Sequence, residues 1–414
     1  MVAEIYNFPA RPACNFAFSP RTPSIYTRMK NSVLFSPVTL GNLTLKNRFT
    51  VAPMTRRSAS ADGVPGRKMQ AYYSAFAAGG FAMIITEGIY TDDAYSQADE
   101  NQPGLINQAQ MEGWKAIATS VKQHGTLFIA QLMHAGALSQ CREETVAPSA
   151  VQPVGLRATE PGGPTGPFPM PRAMDAADFE TVKAGYVTAA RLAVAAGFDG
   201  LELHAANGYL FDQFITPHTN RRQDAYGGDE ASRLRFLVEV FEAIKAAVPA
   251  EFLIGIRMSE SKVNDLTYRW PGGAETATAL FKALSHVPAA YFHLAAEGGK
   301  WARECLYTDG RSSNGIARQL TGKPVIANGG MHDPELAHAL IAGEQADLVA
   351  VGRGAIANPD LPNRLMTCGT LKPFFKELIQ PSLTLAHTAA VLTRRKTGQS
   401  GGWLSEQAAS SKEH

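Results

Sequence analysis

The sequence has almost no net charge, few cysteines and no long apolar run. Lys and Arg total 39 against 37 Asp and Glu, a formal net charge of +2. No single-sign field is available to attract nucleic acid or an anionic membrane. No hydrophobic stretch approaches the roughly 20 residues that span a bilayer. The four cysteines, Cys14, Cys141, Cys305 and Cys368, stand singly. None forms a C-x-x-C pair, so the usual zinc and iron–sulfur spacings are missing. Dispersed thiols fit a reducing, cytoplasmic setting better than a disulfide scaffold. No G-x-G-x-x-G lies between a strand and a helix, so a resident dinucleotide on a Rossmann unit is not expected. The first 30 residues carry basic residues and prolines but no apolar core, which argues against a secretory signal. They are expected to be a disordered extension, with Met29 a candidate alternative start.

What is present is a chain of 414 residues with 45% hydrophobic content, enough for one large α/β barrel or two smaller domains. Short β-branched runs alternate with helical patterns. The strands are read at 48–53, 83–86, 127–132, 200–203, 253–256, 291–294, 325–327 and 348–351. Helical periodicity falls at 68–78, 108–124, 176–196, 229–248, 274–284, 314–320 and 333–342. Asp229 and Pro334 mark helix starts, and Gly79-Gly80, Gly125 and Gly197 mark ends. A loop is expected from His204 to Gly228. Eight strand–helix units in series predict an α/β fold, a closed (β/α)8 TIM barrel over residues 31–370. The Pro/Gly-rich segment 148–171 after the third strand is too long for filler and is expected to form a lid. Residues 371–392 read as a helix, followed by a polar tail.

In such a barrel the active site gathers at the C-terminal ends of the strands. Thr55, Glu87, Gln131, His204, Arg257, Asn328 and Arg353 all fall there. Strands seven and eight end in Asn328-Gly329-Gly330 and Gly352-Arg353-Gly354. Glycine backbone and a fixed guanidinium suit a phosphate at the usual barrel position; two ordinary tight turns are the plainer reading. If the chain turns helically after the fourth strand, His204 and Asn207 face one way and could hold a carbonyl or phenolate oxygen. Tyr209 beside them is a candidate proton donor. The plainer alternatives are a core histidine and a simple turn. Thr55 could equally cap a loop, Gln131 be satisfied by backbone, and Arg257 serve a structural ion pair. Tyr268, Trp270 and Trp301 are expected to do ordinary loop packing.

The stretch 203–210 (LHAANGYL), then Asp212-Gln213-Phe214, Asn220-Arg221-Arg222 and Tyr226-Gly227-Gly228, resembles the Old Yellow Enzyme signature. So do Leu34-Phe35-Ser36-Pro37, Lys46-Asn47-Arg48, Ala52-Pro53-Met54-Thr55, 84–88 (IITEG) and Asn358-Pro359-Asp360-Leu361. The similarity spans residues 33–366. It implies an FMN-dependent ene-reductase on a TIM barrel, taking hydride transiently from NADPH or NADH and reducing small enone-type substrates by a ping-pong route. By that resemblance Pro53, Met54, Thr55 and Gly88 line a non-covalent FMN, Gln131 bonds its pyrimidine edge, and Arg257 sits near N1. Gly330, Gly352 and Arg353 hold the phosphate, His204 and Asn207 bind the substrate oxygen, and Tyr209 gives the proton. No metal, nucleic acid or membrane partner is implied, and either a monomer or a homo-oligomer is compatible. The resemblance frays after Asn363 and in segments 259–273 and 296–311. A flavin-dependent dehydrogenase or desaturase, a non-catalytic flavin-binding barrel and a flavin-free phosphate-binding lyase are the alternative readings.

Overall fold

Eight parallel strands close on themselves in this computed structural model, which describes residues 32–158 and 163–396. They are β1 (Phe49–Val51), β2 (Met83–Ile85), β3 (Leu127–Met133), β4 (Gly200–Asn207), β5 (Leu253–Lys262), β6 (Tyr291–Ala295), β7 (Val325–Asn328) and β8 (Leu348–Val351). Sequence neighbours are spatial neighbours, and β8 returns to β1 through Val349–Phe49, Ala350–Thr50 and Val351–Val51. This is the predicted (β/α)8 barrel. The expectation for residues 1–30 lies outside the described residues.

The strands are buried along almost their whole length. Both faces of a parallel barrel are covered, which is why the strands read as continuous apolar runs and not as alternating ones. The outer layer is α1 (Arg67–Ala78), α2 (Gln108–Lys122), α3 (Ala176–Ala195), α4 (Glu230–Lys245), α5 (Ala274–Leu284), α6 (Ser313–Thr321) and α7 (Pro334–Ala342). Local chemistry starts these helices where the sequence says. Asp229 accepts the Ser232 N–H, Asp333 accepts the Glu335 N–H ahead of Pro334, and Asp175 forms a reciprocal capping box with Asp178. An antiparallel hairpin, Val38–Leu40 with Leu43–Leu45, packs Leu40 and Leu45 against Met83, Leu253, Tyr291 and Leu348. These are the first residues of their strands, so the hairpin covers the N-terminal end of the barrel and leaves the C-terminal end for a site.

Four expectations need correction. β4 runs to Asn207 and β5 to Lys262, because each keeps ladder partners beyond the expected ends, Met258 with Ala205 and Lys262 with Asn207. The chain therefore does not turn helically between His204 and Asn207. The expected loop to Gly228 contains a fully buried short helix, Leu210–Ile215. The tail is not helical from 371: after a 3-10 turn, Lys376–Leu378, its helix α8 is Leu385–Lys396. Pro373 and Pro381 lack the N–H a continuous helix needs.

The tail is tied to the barrel. Leu378 and Val391 pack with Ile356, and the Arg56 guanidinium donates to the Leu383 carbonyl (2.9 Å) and to Thr388 Oγ1 (2.5 Å). Arg56 is itself placed by Glu87 after β2, whose Oε2 accepts the Arg56 N–H (2.8 Å) while Oε1 accepts from Tyr73 Oη (3.3 Å). Burial pushes the Glu87 carboxyl up to about 7 against the pull of Arg56 and Tyr73. A carboxyl raised on folding binds more protons in the folded state. Its stabilisation is complete below the unfolded value of 4.5 and is lost as pH rises through about 7. The Glu87→Gln variant would mimic the protonated form at every pH. Its stability relative to native should therefore improve by about 2 to 3 kcal/mol between pH 5 and pH 8. Urea unfolding at the two pH values checks this; a constant difference would show that Glu87 does not titrate there.

Candidate active site

The open end of the barrel holds a cavity of about 990 Å³, at the upper end of ligand-sized pockets. The residues given binding or catalytic roles line it: Pro53, Met54 and Thr55 after β1, Gly88 after β2, Gln131 in β3, His204 and Asn207 in β4, Tyr209 just beyond, Arg257 in β5, Gly330 after β7, and Gly352 and Arg353 after β8, whereas Glu87 turns away to Arg56 and Tyr73. Strand register explains the convergence. His204 pairs with Arg257 and Arg257 with His293, one layer across three strands, and Gln131 pairs with Glu202 one layer below.

One end of the cavity is glycine-lined. Asn328 Nδ2 donates to the Ala350 carbonyl (2.9 Å), tying β7 to β8. Gly330 has φ +83°, and a Cβ on Gly329 would meet Ala296 Cβ at 2.6 Å. Here the backbone itself forms the wall, with the exposed Arg353 beside it. Gly88 has a different local cause: a Cβ there would stand 2.4 Å from Met133 Sδ.

The middle rests on a buried polar network. Glu202 accepts from Gln131 Nε2 (2.7 Å) and from His293 Nδ1 (3.0 Å). Gln131 is therefore held by a carboxylate and not by backbone, and Oε1 is the amide atom not committed to Glu202. Burial works against the Glu202 charge, but the hydrogen bonds from His293 and Gln131 and the nearby Arg257 guanidinium outweigh it and hold the carboxyl below its usual range. Burial keeps His293 neutral. Arg257 is 4% exposed, its Nε has no partner, and no ion pair forms on it among the described residues. The structural ion-pair reading is thus not met. A buried guanidinium of this kind costs stability unless an acceptor-rich ligand satisfies it.

The far end carries His204, Asn207 and Tyr209. Residues three apart on a strand face opposite ways, yet both His204 and Asn207 line the cavity. The cause is Asn207's left-handed backbone, φ +64°, a conformation asparagine tolerates. Its N–H donates to Ser259 Oγ (2.7 Å). The next amide, Gly208 N–H, donates to Asp212 Oδ2 (2.6 Å), and Lys262 Nζ holds both Asp212 oxygens at 2.6 and 2.7 Å. This buried ion pair pins the turn that aims Asn207 and Tyr209. His204 and Tyr209 rings meet edge-on, centroids 5.0 Å apart. Burial, then Arg257, keeps His204 well below the usual histidine range, so it is neutral. Burial, with Asp99 and Glu297 nearby, pushes the Tyr209 phenol up, so it keeps its proton. His204 Nδ1 and Asn207 Oδ1 are buried without partners. Together with Arg257 Nε, these open polar atoms around one cavity fit a polar planar group with a phosphate at the glycine end.

Thr55 caps no helix, since α1 begins at Arg67 behind Gly66. Trp270 and Trp301 are core residues, and Trp301 Nε1 donates to Asn314 Oδ1. Tyr268 lies over Lys262 Nζ at 4.7 Å; none of the three lines the cavity. Of the expected lid, Leu156, Ala158 and Phe168 contribute to the wall. Sequence reasoning missed the Arg57–Asp99 ion pair (2.6 Å), Glu297, and the tail wall of Phe374, Ile379 and Pro381. It also missed Glu202 and His293. The last two had a signal: each is a lone polar residue inside an apolar barrel strand, and Glu202 shares the face of His204 two positions on.

The family profile of NADH:flavin oxidoreductase / NADH oxidase matches residues 33–368. The NADH oxidase of Thermoanaerobacter brockii is 34% identical over 347 residues, 80% of this chain; the matched part is half of that protein's length. A Leishmania infantum protein named as a probable flavin mononucleotide-dependent alkene reductase is 33% identical over 348 residues, 80% of this chain and 90% of its own. The solved Old Yellow Enzyme homologue of Zymomonas mobilis superposes with a TM-score of 0.72 at 31% identity, covering 84% of this chain and 95% of that one. Among the described residues no helix is long and apolar enough to cross a membrane.

Proposed function

Because the chain belongs to the NADH:flavin oxidoreductase / NADH oxidase family, we propose that it is an FMN-dependent ene-reductase that uses NADH or NADPH to reduce C=C bonds conjugated to a carbonyl. The observation that carries this reading is a pair of unpartnered nitrogens, Arg257 Nε and His204 Nδ1, buried in one cavity with the Asn207 amide and a protonated phenol beside them.

A flavin held in this cavity would supply the hydride chemistry that links nicotinamide to the substrate's β-carbon. The chain's own residues do the rest. Gly330, Gly352 and Arg353 hold the phosphate at the glycine-lined end. Pro53, Met54, Thr55 and Gly88 form the wall beside the ring, and Gln131, its amide fixed by Glu202, reads the pyrimidine edge. Arg257 would place a buried positive charge beside the ring, which would favour an anionic form of the flavin in a dry site. His204 and Asn207 hold the substrate carbonyl oxygen. Their hydrogen bonds strengthen as negative charge grows there, so they favour the transition state over the ground state. Tyr209 gives its proton to the α-carbon. A storage protein would have no use for an acid aimed at the ligand. The two half-reactions share one pocket, so a ping-pong order follows: oxidised nicotinamide leaves before enone enters.

Arg257→Met removes the charge while keeping most of the bulk. It is expected to weaken FMN retention at least about tenfold, the cost of losing charge-assisted hydrogen bonds, read as free flavin in the filtrate of a dilution series. Native retention would assign Arg257 to structure alone. The reading as a whole is tested by anaerobic incubation with NADPH or NADH and 2-cyclohexenone. Nicotinamide oxidation matched mole for mole by cyclohexanone is expected; oxidation without saturated product would overturn it.

A further inference from the structure

Glu297 is a carboxylate placed at the oxygen-binding end of the cavity, two residues beyond the end of β6. Its Oε2 accepts a hydrogen bond from Asn207 Nδ2 at 2.5 Å. An ionised carboxylate can only accept, so this contact fixes the orientation of the Asn207 amide: Nδ2 turns toward Glu297, and Oδ1 is left buried without a partner. The amide keeps a second N–H, and His204 is unaffected. The clamp can still serve a neutral carbonyl. An anion is another matter. Any negatively charged oxygen accepted by Asn207 Nδ2 would sit within a few ångströms of the Glu297 carboxylate. Glu297 also couples electrostatically to Tyr209 and to Arg257, which places its charge at the centre of the site. Asp99 adds negative charge near Tyr209 and is countered by its ion pair with Arg57. Arg257 and the neutral donors work against Glu297 by favouring an anion.

Resting on the reading that His204 and Asn207 hold the substrate oxygen, we infer that Glu297 is the charge filter of this site: it admits neutral enones and rejects phenolates, carboxylates and other preformed anions that the same donors would otherwise bind. The filter acts through like-charge repulsion at short range in a partly buried setting, where one unit charge changes affinity by about tenfold or more. The same charge opposes negative charge growing on a bound carbonyl, so removing it should raise the enone turnover number. Loss of a merely structural contact would do the reverse, loosening Asn207 and weakening every ligand.

The test titrates flavin-loaded native protein, Glu297→Gln and Glu297→Asp with p-nitrophenolate, following the long-wavelength band that a phenolate stacked on the flavin produces. Gln keeps the acceptor for Asn207 Nδ2 and removes the charge; Asp keeps the charge. Glu297→Gln is expected to bind phenolate about tenfold tighter than native, and Glu297→Asp to stay within about threefold of it. Equal affinity in native and Glu297→Gln, or equal tightening in Gln and Asp, overturns the filter while leaving the oxygen clamp in place. A band that persists unchanged in His204→Ala and Asn207→Ala overturns the clamp and the filter together.

Discussion

Replacing Tyr209 with Phe is expected to slow enone reduction by about 10²-fold or more, while NADPH or NADH still bleaches the bound flavin at the native rate. The expectation rests on where the phenol lies and on its state. Tyr209 stands at the start of the buried helix Leu210–Ile215, its ring edge-on to His204 at 5.0 Å. Burial and the charges of Asp99 and Glu297 keep it protonated, and the Gly208–Asp212–Lys262 chain fixes its backbone. Removing the hydroxyl takes away the proton and leaves the aromatic ring and the rest of the cavity wall in place. Rapid mixing separates the two half-reactions: bleaching by nicotinamide alone, then recovery of colour on adding 2-cyclohexenone. Equal recovery in the two proteins would exclude Tyr209 as the acid. Loss of both phases would assign it to structure.

His204→Ala is expected to lower kcat for 2-cyclohexenone by about 10²- to 10³-fold, the loss seen when one donor to a developing oxyanion is removed. The native dependence on pH should carry the same message. Burial and the neighbouring Arg257 hold His204 neutral well below the usual histidine range. A lowered histidine has nothing to titrate between pH 6 and 8, so phenolate or enone binding should show no step there that His204→Ala abolishes. Such a step would mean a charged imidazole in the clamp. Folding carries the opposite burden. His204 and His293 must be uncharged in the folded chain, so unfolded histidines bind protons more readily, and stability falls as pH drops below about 6.5.

The barrel and the site were legible in the sequence for a physical reason. A strand buried on both faces shows itself as a short apolar run, and a residue that breaks such a run at its C-terminal end has only the mouth of the barrel to face. Thr55, Gln131, His204, Arg257 and Arg353 all showed themselves in that way. Asn207 was found for the wrong reason: a helical turn was expected, and what brings it beside His204 is one left-handed residue at the end of a longer strand. No composition signal distinguishes the two. Glu202 and His293 could have been seen as polar breaks within strands, but their partners come from β3, β4 and β6, and pairing across a barrel is set by register. The tail was misread because helical periodicity from 371 outweighed Pro373 and Pro381. That Phe374 and Pro381 then wall the cavity follows from the grip of Arg56 on Leu383 and Thr388, more than 300 residues away in sequence.

The central claim is that one cavity holds a flavin between an anion cradle and an oxygen clamp. Anaerobic titration of the purified protein, followed by its visible spectrum, tests it most directly. The account predicts a yellow protein, or one that becomes yellow on adding FMN, bleached by one equivalent of NADPH or NADH and restored by 2-cyclohexenone. A chain that neither carries nor takes up FMN would contradict it.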